Sequence, residues 1–138
     1  MNDVGKIAER LEKMQRLSEW DADKIVKDSQ TVAEALTKVT EEKLKTQIRK
    51  FLDLVRKIQI KVVHKPSEEF DKGSVVLLKP KIVYAVSKEK NLEPLMKVLL
   101  PAIDAVHTKE DFEKLIAFVE GVIAYHAYES KKKSKKEV

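Results

Sequence analysis

The sequence predicts an all-α fold, a single helical bundle of five to six helices. Apolar residues recur at three- and four-residue spacing along nearly the whole chain, as expected for helices that each bury one stripe. No segment shows the two-residue alternation of a strand, and no stretch repeats another. A chain of 138 residues fits one domain, which at that size buries about two-thirds of the unfolded chain's surface. That domain is assigned to residues 1–130, followed by a disordered lysine-rich tail at 131–138.

Each element has a local reason. Val4, Ile7, Leu11, Met14 and Leu17 make the apolar stripe of a first helix, and Ile25, Val32, Ala33 and Leu36 that of a second. Asp21 and Asp23 stand where the first must end and the second begin. Thr40 followed by Glu41 and Glu42 starts a third, whose Leu44, Ile48, Phe51, Leu52, Val55, Ile58 and Val62 fall in one narrow arc at about 100° per residue. Residues 64–73 read as a loop with room for a helical turn. Pro80 places a helix start or kink near Lys79. Asn91 and Pro94 open a helix over 92–106, which Pro101 either bends or splits. Thr108 and Asp111 form a capping box for the last helix, 112–128. Phe112, Leu115, Ile116, Val119, Val122 and Ile123 lie on one side of that helix, with Phe118 and Tyr125 on another. A helix apolar on two sides is either central to the core, the weightier reading, or covered by a partner.

Composition removes several function classes. With 0 cysteines there is no disulfide or thiolate metal site, and a cytoplasmic setting is the natural expectation. The longest apolar runs, such as 98–102 and 121–124, fall far below the roughly 20 residues of a membrane span. His64, His107 and His126 are scattered. His126 has a carboxylate at helical ligand spacing, Glu129, a weak pair, and the three read as surface or satisfied core residues. The acidic pairs Glu41 and Glu42, Glu68 and Glu69, and Glu110 and Asp111 fall at expected helix starts, where the macrodipole favours negative charge. There is no phosphate-binding glycine loop, cysteine nucleophile or hydrolase elbow. No catalytic residue, metal or cofactor is expected, and the chain reads as a binding subunit.

Charge points to what it binds. Residues 1–40 carry 7 basic and 8 acidic side chains, 41–90 carry 13 and 7, 91–130 carry 3 and 7, and 131–138 carry 5 and 1. The middle is therefore +6 while the flanks sum to −5, the polarity of a surface that tracks a nucleic-acid backbone. On a wheel centred on Ile48, Lys45, Arg49 and Arg56 lie at about 60 to 100° from the core direction. Lys43, Lys50, Lys57 and Lys61 cluster opposite the core, and only Asp53 interrupts them. Like charges so arranged repel unless an anion relieves them. A second patch sets Leu77, Lys81, Tyr84 and Lys88 at i, i+4, i+7 and i+11, an aromatic ring between two ammonium groups. Such a ring can stack on a base or ribose, or sit half-buried with its hydroxyl in water. The competing reading is a helical adaptor for an acidic protein partner without RNA.

Three segments resemble a known family. T-Q-I-R-K-F-L at 46–52, L-L-K-P-K-I-V-Y-A at 77–85 and F-V-E-G-V-I-A-Y-H at 118–126 are similar, in order and spacing, to the small subunit of type III-A CRISPR (Csm) effector ribonucleoprotein complexes. The resemblance spans residues 40–128, and K-P-K-x-x-Y-A is its most specific part. The family's second motif usually runs on through small residues to an arginine, whereas here Val86, Ser87 and Lys88 follow Ala85. Lysine keeps the charge but loses the planar fork. The resemblance implies a helical, non-catalytic subunit in antiviral defense. Several copies line up along guide RNA and target RNA, beside the backbone subunits and next to the large subunit. It also implies that Arg49, Lys50, Arg56, Lys57, Lys79, Lys81 and Lys88 touch RNA backbone. Lys45 and Tyr84 complete the candidate RNA-binding set.

Overall fold

The computed structural model describes residues 3–36, 42–64 and 70–137, apart from the side chains of 63, 64 and 132–137. Its α-helices are α1 (Asp3–Glu12), α2 (Ala22–Leu36), α3 (Glu42–His64), α4 (Lys72–Val76), α5 (Leu78–Lys88), α6 (Glu93–Asp104) and α7 (Lys109–Glu137). Short 3-10 turns occupy Leu17–Glu19 and Lys90–Leu92. The described residues contain no strand, so the all-α bundle expected from the periodicity is the fold observed. Thr40 and Glu41, together with residues 65–69 of the 64–73 loop, Glu68 and Glu69 among them, lie outside the described residues.

The bundle is built around α7. Phe112, Leu115, Ile116, Phe118, Val119 and Val122 are all buried on it. It packs most extensively along α2 and also meets α3 and the Leu17–Glu19 turn. Its two apolar sides are therefore covered within the chain, the central-helix alternative. On α3 the apolar arc faces inward, with Leu44, Ile48, Phe51, Leu52 and Val55 buried and Ile58 and Val62 half-buried. α5 packs on α3 and α6, and α1 on α6 and α2.

Two boundaries differ from expectation. The first helix ends at Glu12, and Leu17 belongs to a separate turn. There the backbone finds partners outside a helix: the amides of Gln15 and Arg16 donate to the Glu19 carboxylate (3.1 and 3.0 Å), Leu17 N donates to Ala105 O (2.8 Å) and Ser18 N to Asp111 Oδ1 (2.7 Å). The last helix runs to Glu137 rather than stopping at Tyr128, so helical backbone continues through the segment read as a disordered tail. Lysine is a good helix former, no Gly or Pro interrupts 122–137, and cations near a helix C-terminus complement its dipole.

The prolines take the positions their chemistry allows. Pro80 sits in the first turn of α5, where no intrahelical N–H bond is required, and Pro94 in the first turn of α6. Pro101 is buried inside α6, which continues through it unsplit. The capping box at α7 is present: Asp111 N donates to Thr108 Oγ1 (3.2 Å) and Thr108 N donates to Asp111 Oδ2 (3.1 Å). Burial raises the Asp111 pKa, but the bonds from His107, Ser18 and Thr108 outweigh it and leave the carboxyl below the usual range.

Trp20 and Asp28 form a buried polar node. The indole N–H donates to Asp28 Oδ2 (2.8 Å), Arg10 pairs with the same carboxylate (3.0 Å), and the Trp20 ring lies 4.9 Å from that of Phe118. Burying an aspartate is tolerable because both oxygens are engaged by donors. At the α2–α7 crossing, a Cβ on Gly121 would lie 2.5 Å from Ser29 Oγ, so only glycine allows the helices this close an approach.

Candidate nucleic-acid interface

On α3 the outward residues Lys50 and Lys57 are exposed, and so are Lys43 and Lys61 on the same face. Arg49 is exposed on the flank toward α7. Arg56, on that flank, pairs with Glu120 of α7 at 3.2 Å, with both side chains about half exposed. Lys45 is within 3.8 Å of Glu42, itself 90% exposed in the first turn. Exposed pairs of this kind contribute roughly 0 to 1 kcal/mol and dissolve readily in favour of a better anion.

α5 buries Leu78, Ile82 and Ala85 and turns Leu77, Lys81, Tyr84 and Lys88 to solvent. The four residues read from the sequence as one stripe do share an exposed face. Tyr84 is 61% exposed, and the Lys88 ammonium lies over its ring, 4.9 Å from the centroid. Cation and aromatic face are thus presented together. Lys79 lies on the flank toward α6, where its ammonium donates to Asp104. Among the described residues, Arg49, Lys50, Lys57, Lys81 and Lys88 make no ion pair, whereas Lys45, Arg56 and Lys79 each face a carboxylate.

The α3–α7 flank contains a feature not expected from the sequence. α7 runs antiparallel to α3, since Arg56 meets Glu120 while Lys45 and Arg49, earlier on α3, face His126 and Lys131, later on α7. Between them lies a cavity of about 130 Å³ with Ile48 and Ile123 among its walls. His126 lines it, only 3% exposed, and its Nε2 has no hydrogen-bond partner. Burial, and then the charge of Lys45, hold the imidazole pKa below 6.5. His126 is therefore neither the surface residue nor the satisfied core residue that the sequence led one to expect. The signal was present: residues 123, 126, 127 and 131 repeat at helical spacing across the point where the last helix was expected to stop. His107 is exposed and accepts from Lys72 Nζ at Nδ1 (2.7 Å), and the His64 side chain lies outside the described residues.

No group of three potential metal ligands occurs among the described residues. No described helix is long and apolar enough to cross a membrane. The family profile described as Csm2 Type III-A matches residues 19–132. The chain belongs to the Csm2 family. As a Csm2 family member it is a small subunit of a type III-A CRISPR effector complex, alongside that complex's other subunits. The match contains α2 to α6 entire, with both basic helices, and α7 up to residue 132. No individual curated protein and no solved structure matches the chain.

Proposed function

We propose that this Csm2 family member is a non-catalytic subunit that binds the phosphate backbone of guide and target RNA through the outer faces of α3 and α5. Copies of it stack along the complex. The observation that carries the reading is the set of five cations, Arg49, Lys50, Lys57, Lys81 and Lys88, exposed on two adjoining helices without ion pairs among the described residues. Phosphate contacts position without reading sequence, which suits a subunit of a complex whose specificity comes from guide pairing.

Binding to a labelled single-stranded oligoribonucleotide, followed by anisotropy across a salt series, tests this. Wild-type chain is expected to bind without sequence preference and with affinity that falls steeply as salt rises. Replacing Arg49, Lys81 and Lys88 together by Ala should flatten the slope of log affinity against log salt by about 2, given about 0.7 per phosphate contact on single strands. Helical content should not change, because all three side chains are exposed. Unchanged affinity in the triple variant removes the proposal.

The exposed apolar side chains Leu77 and Val83 in the α5 region favour a second reading, an adaptor for an acidic protein. Under that reading the chain binds an acidic polypeptide but not the oligoribonucleotide, and Leu77→Ser weakens the polypeptide binding.

A further inference from the structure

We propose that Tyr84 is a stacking platform for one unpaired nucleobase of RNA, with Lys81 and Lys88 holding the phosphates on either side of that base. The inference rests on the RNA reading above and deepens it, adding a contact to a base where that reading has contacts to the backbone alone. Water is a poor setting for an aromatic ring, yet Tyr84 is 61% exposed on α5 while Leu78, Ile82 and Ala85 of the same helix are buried. The ring is presented with a cation, since the Lys88 ammonium lies 4.9 Å from its centroid. Residues 72–88 contain four lysines and no aspartate or glutamate. The next acid, Glu89, is buried and accepts from Asn91, and Asp104 of α6 engages Lys79 on the flank. The face around the ring is therefore cationic, with no carboxylate from its own helix to compete for Lys81 or Lys88.

Spacing selects the ligand further. Lys81 and Lys88 lie about 10 Å apart along the helix axis at 1.5 Å per residue, with Tyr84 between them. A base laid on the ring thus has an ammonium group toward each of its flanking phosphates. An exposed cation–π contact is weak, so Lys88 leaves the ring for a phosphate and the face it vacates is open to a base. A paired base already stacks on its neighbours in the duplex, whereas an unpaired one gains a partner on the tyrosine. Every base has a π-face, so the platform adds affinity without choosing sequence. The carboxylates of an acidic protein would satisfy the lysines and leave the ring unused, which favours nucleic acid on this face.

The experiment is NMR of the full chain with labelled tyrosine rings, titrated in separate arms with a short oligoadenylate, with an abasic ribose-phosphate strand of the same length, and with polyglutamate. Oligoadenylate is expected to shift the Tyr84 ring resonances upfield and leave those of Tyr125 and Tyr128 in place. The abasic strand should bind by charge and give no such upfield shift. Tyr84→Leu, at an exposed position, should keep helical content and weaken oligoadenylate binding about tenfold, the effect of one stacked base. Its salt slope and its affinity for the abasic strand should not change, and Tyr84→Trp should bind oligoadenylate as the wild type does. If oligoadenylate binds without moving Tyr84, or binds equally to Tyr84→Leu, the platform is overturned while the backbone-binding reading stands. If oligoadenylate moves Tyr84 and the abasic strand does not bind, the platform stands and the backbone reading fails. A ring moved by polyglutamate and not by oligoadenylate assigns the face to an acidic protein and overturns the platform, as does a chain that binds no RNA at all.

Discussion

His126 is held in a setting that favours its uncharged form, first by burial and second by the Lys45 ammonium. In the unfolded chain the same imidazole titrates near 6.5. Because the folded pKa is the lower one, the folded state takes up its proton later than the unfolded state as pH falls. Its contribution to stability is complete above about pH 6.5 and is lost progressively as pH drops toward the folded value. The melting midpoint in phosphate-free buffer should therefore decline between pH 7.5 and 5.5. His126→Phe should flatten that decline, and an identical slope in the variant would assign the effect to other groups. The sequence supplied this histidine but not its state, because burial without a partner depends on two helices meeting. Asp28 carries a signal already in the sequence. It interrupts the Ile25–Val32 apolar stripe at i+3, and a polar residue in such a place implies a buried donor opposite, here Trp20 and Arg10.

Helical periodicity identified the six longer helices, since a one-sided apolar stripe is a local property that packing then confirms. It failed at ends, where the deciding bonds are long-range: Ser18 N reaches Asp111 and Leu17 N reaches Ala105. It also gave no warning of the α2–α7 crossing at Gly121. There, Gly121→Ala sets a methyl 2.5 Å from Ser29 Oγ and 2.9 Å from Ser29 Cβ. Overpacking of this kind costs roughly 1 to 3 kcal/mol, of which the better helix propensity of alanine returns up to about 1. A net loss near 1 to 2 kcal/mol is expected in urea unfolding, with the m-value unchanged. Adding Ser29→Ala should recover part of it by removing the hydroxyl. A stabilised single variant would show that the helices separate at little cost.

For the molecule as a whole, the basic 41–90 segment and the net −4 segment 91–130 were plain in the sequence, and the fold presents both as surfaces. On α7, Glu110, Glu113 and Glu120 are exposed, and Glu120 already engages Arg56 of its own chain. Between copies such contacts are worth roughly 0 to 1 kcal/mol each, too little for stable stacking of free protein. Sedimentation should therefore find monomer or weak dimer alone. Higher assemblies are expected only with a guide RNA several turns long and the backbone subunit present. Salt-resistant oligomers without RNA would instead place the interface on an apolar surface, such as the exposed Leu77 and Val83 of the α5 region. The charge pattern was readable because it is additive along the chain. The pairing of Arg56 and Lys79 was not, because their carboxylate partners, Glu120 and Asp104, lie 64 and 25 residues away.

The chain has a single tryptophan, and it is the fully buried one, stacked near Phe118 and bonded to Asp28. Its emission therefore reports on one junction, where α2, α7 and the Leu17–Glu19 turn close around it, and shifts to the red when that junction admits water. From Phe118 to His126 is about 12 Å along α7 at 1.5 Å per residue. Intrinsic fluorescence thus follows, without any introduced dye, the integrity of the bundle at that junction and is blind to events at the α3–α7 cavity.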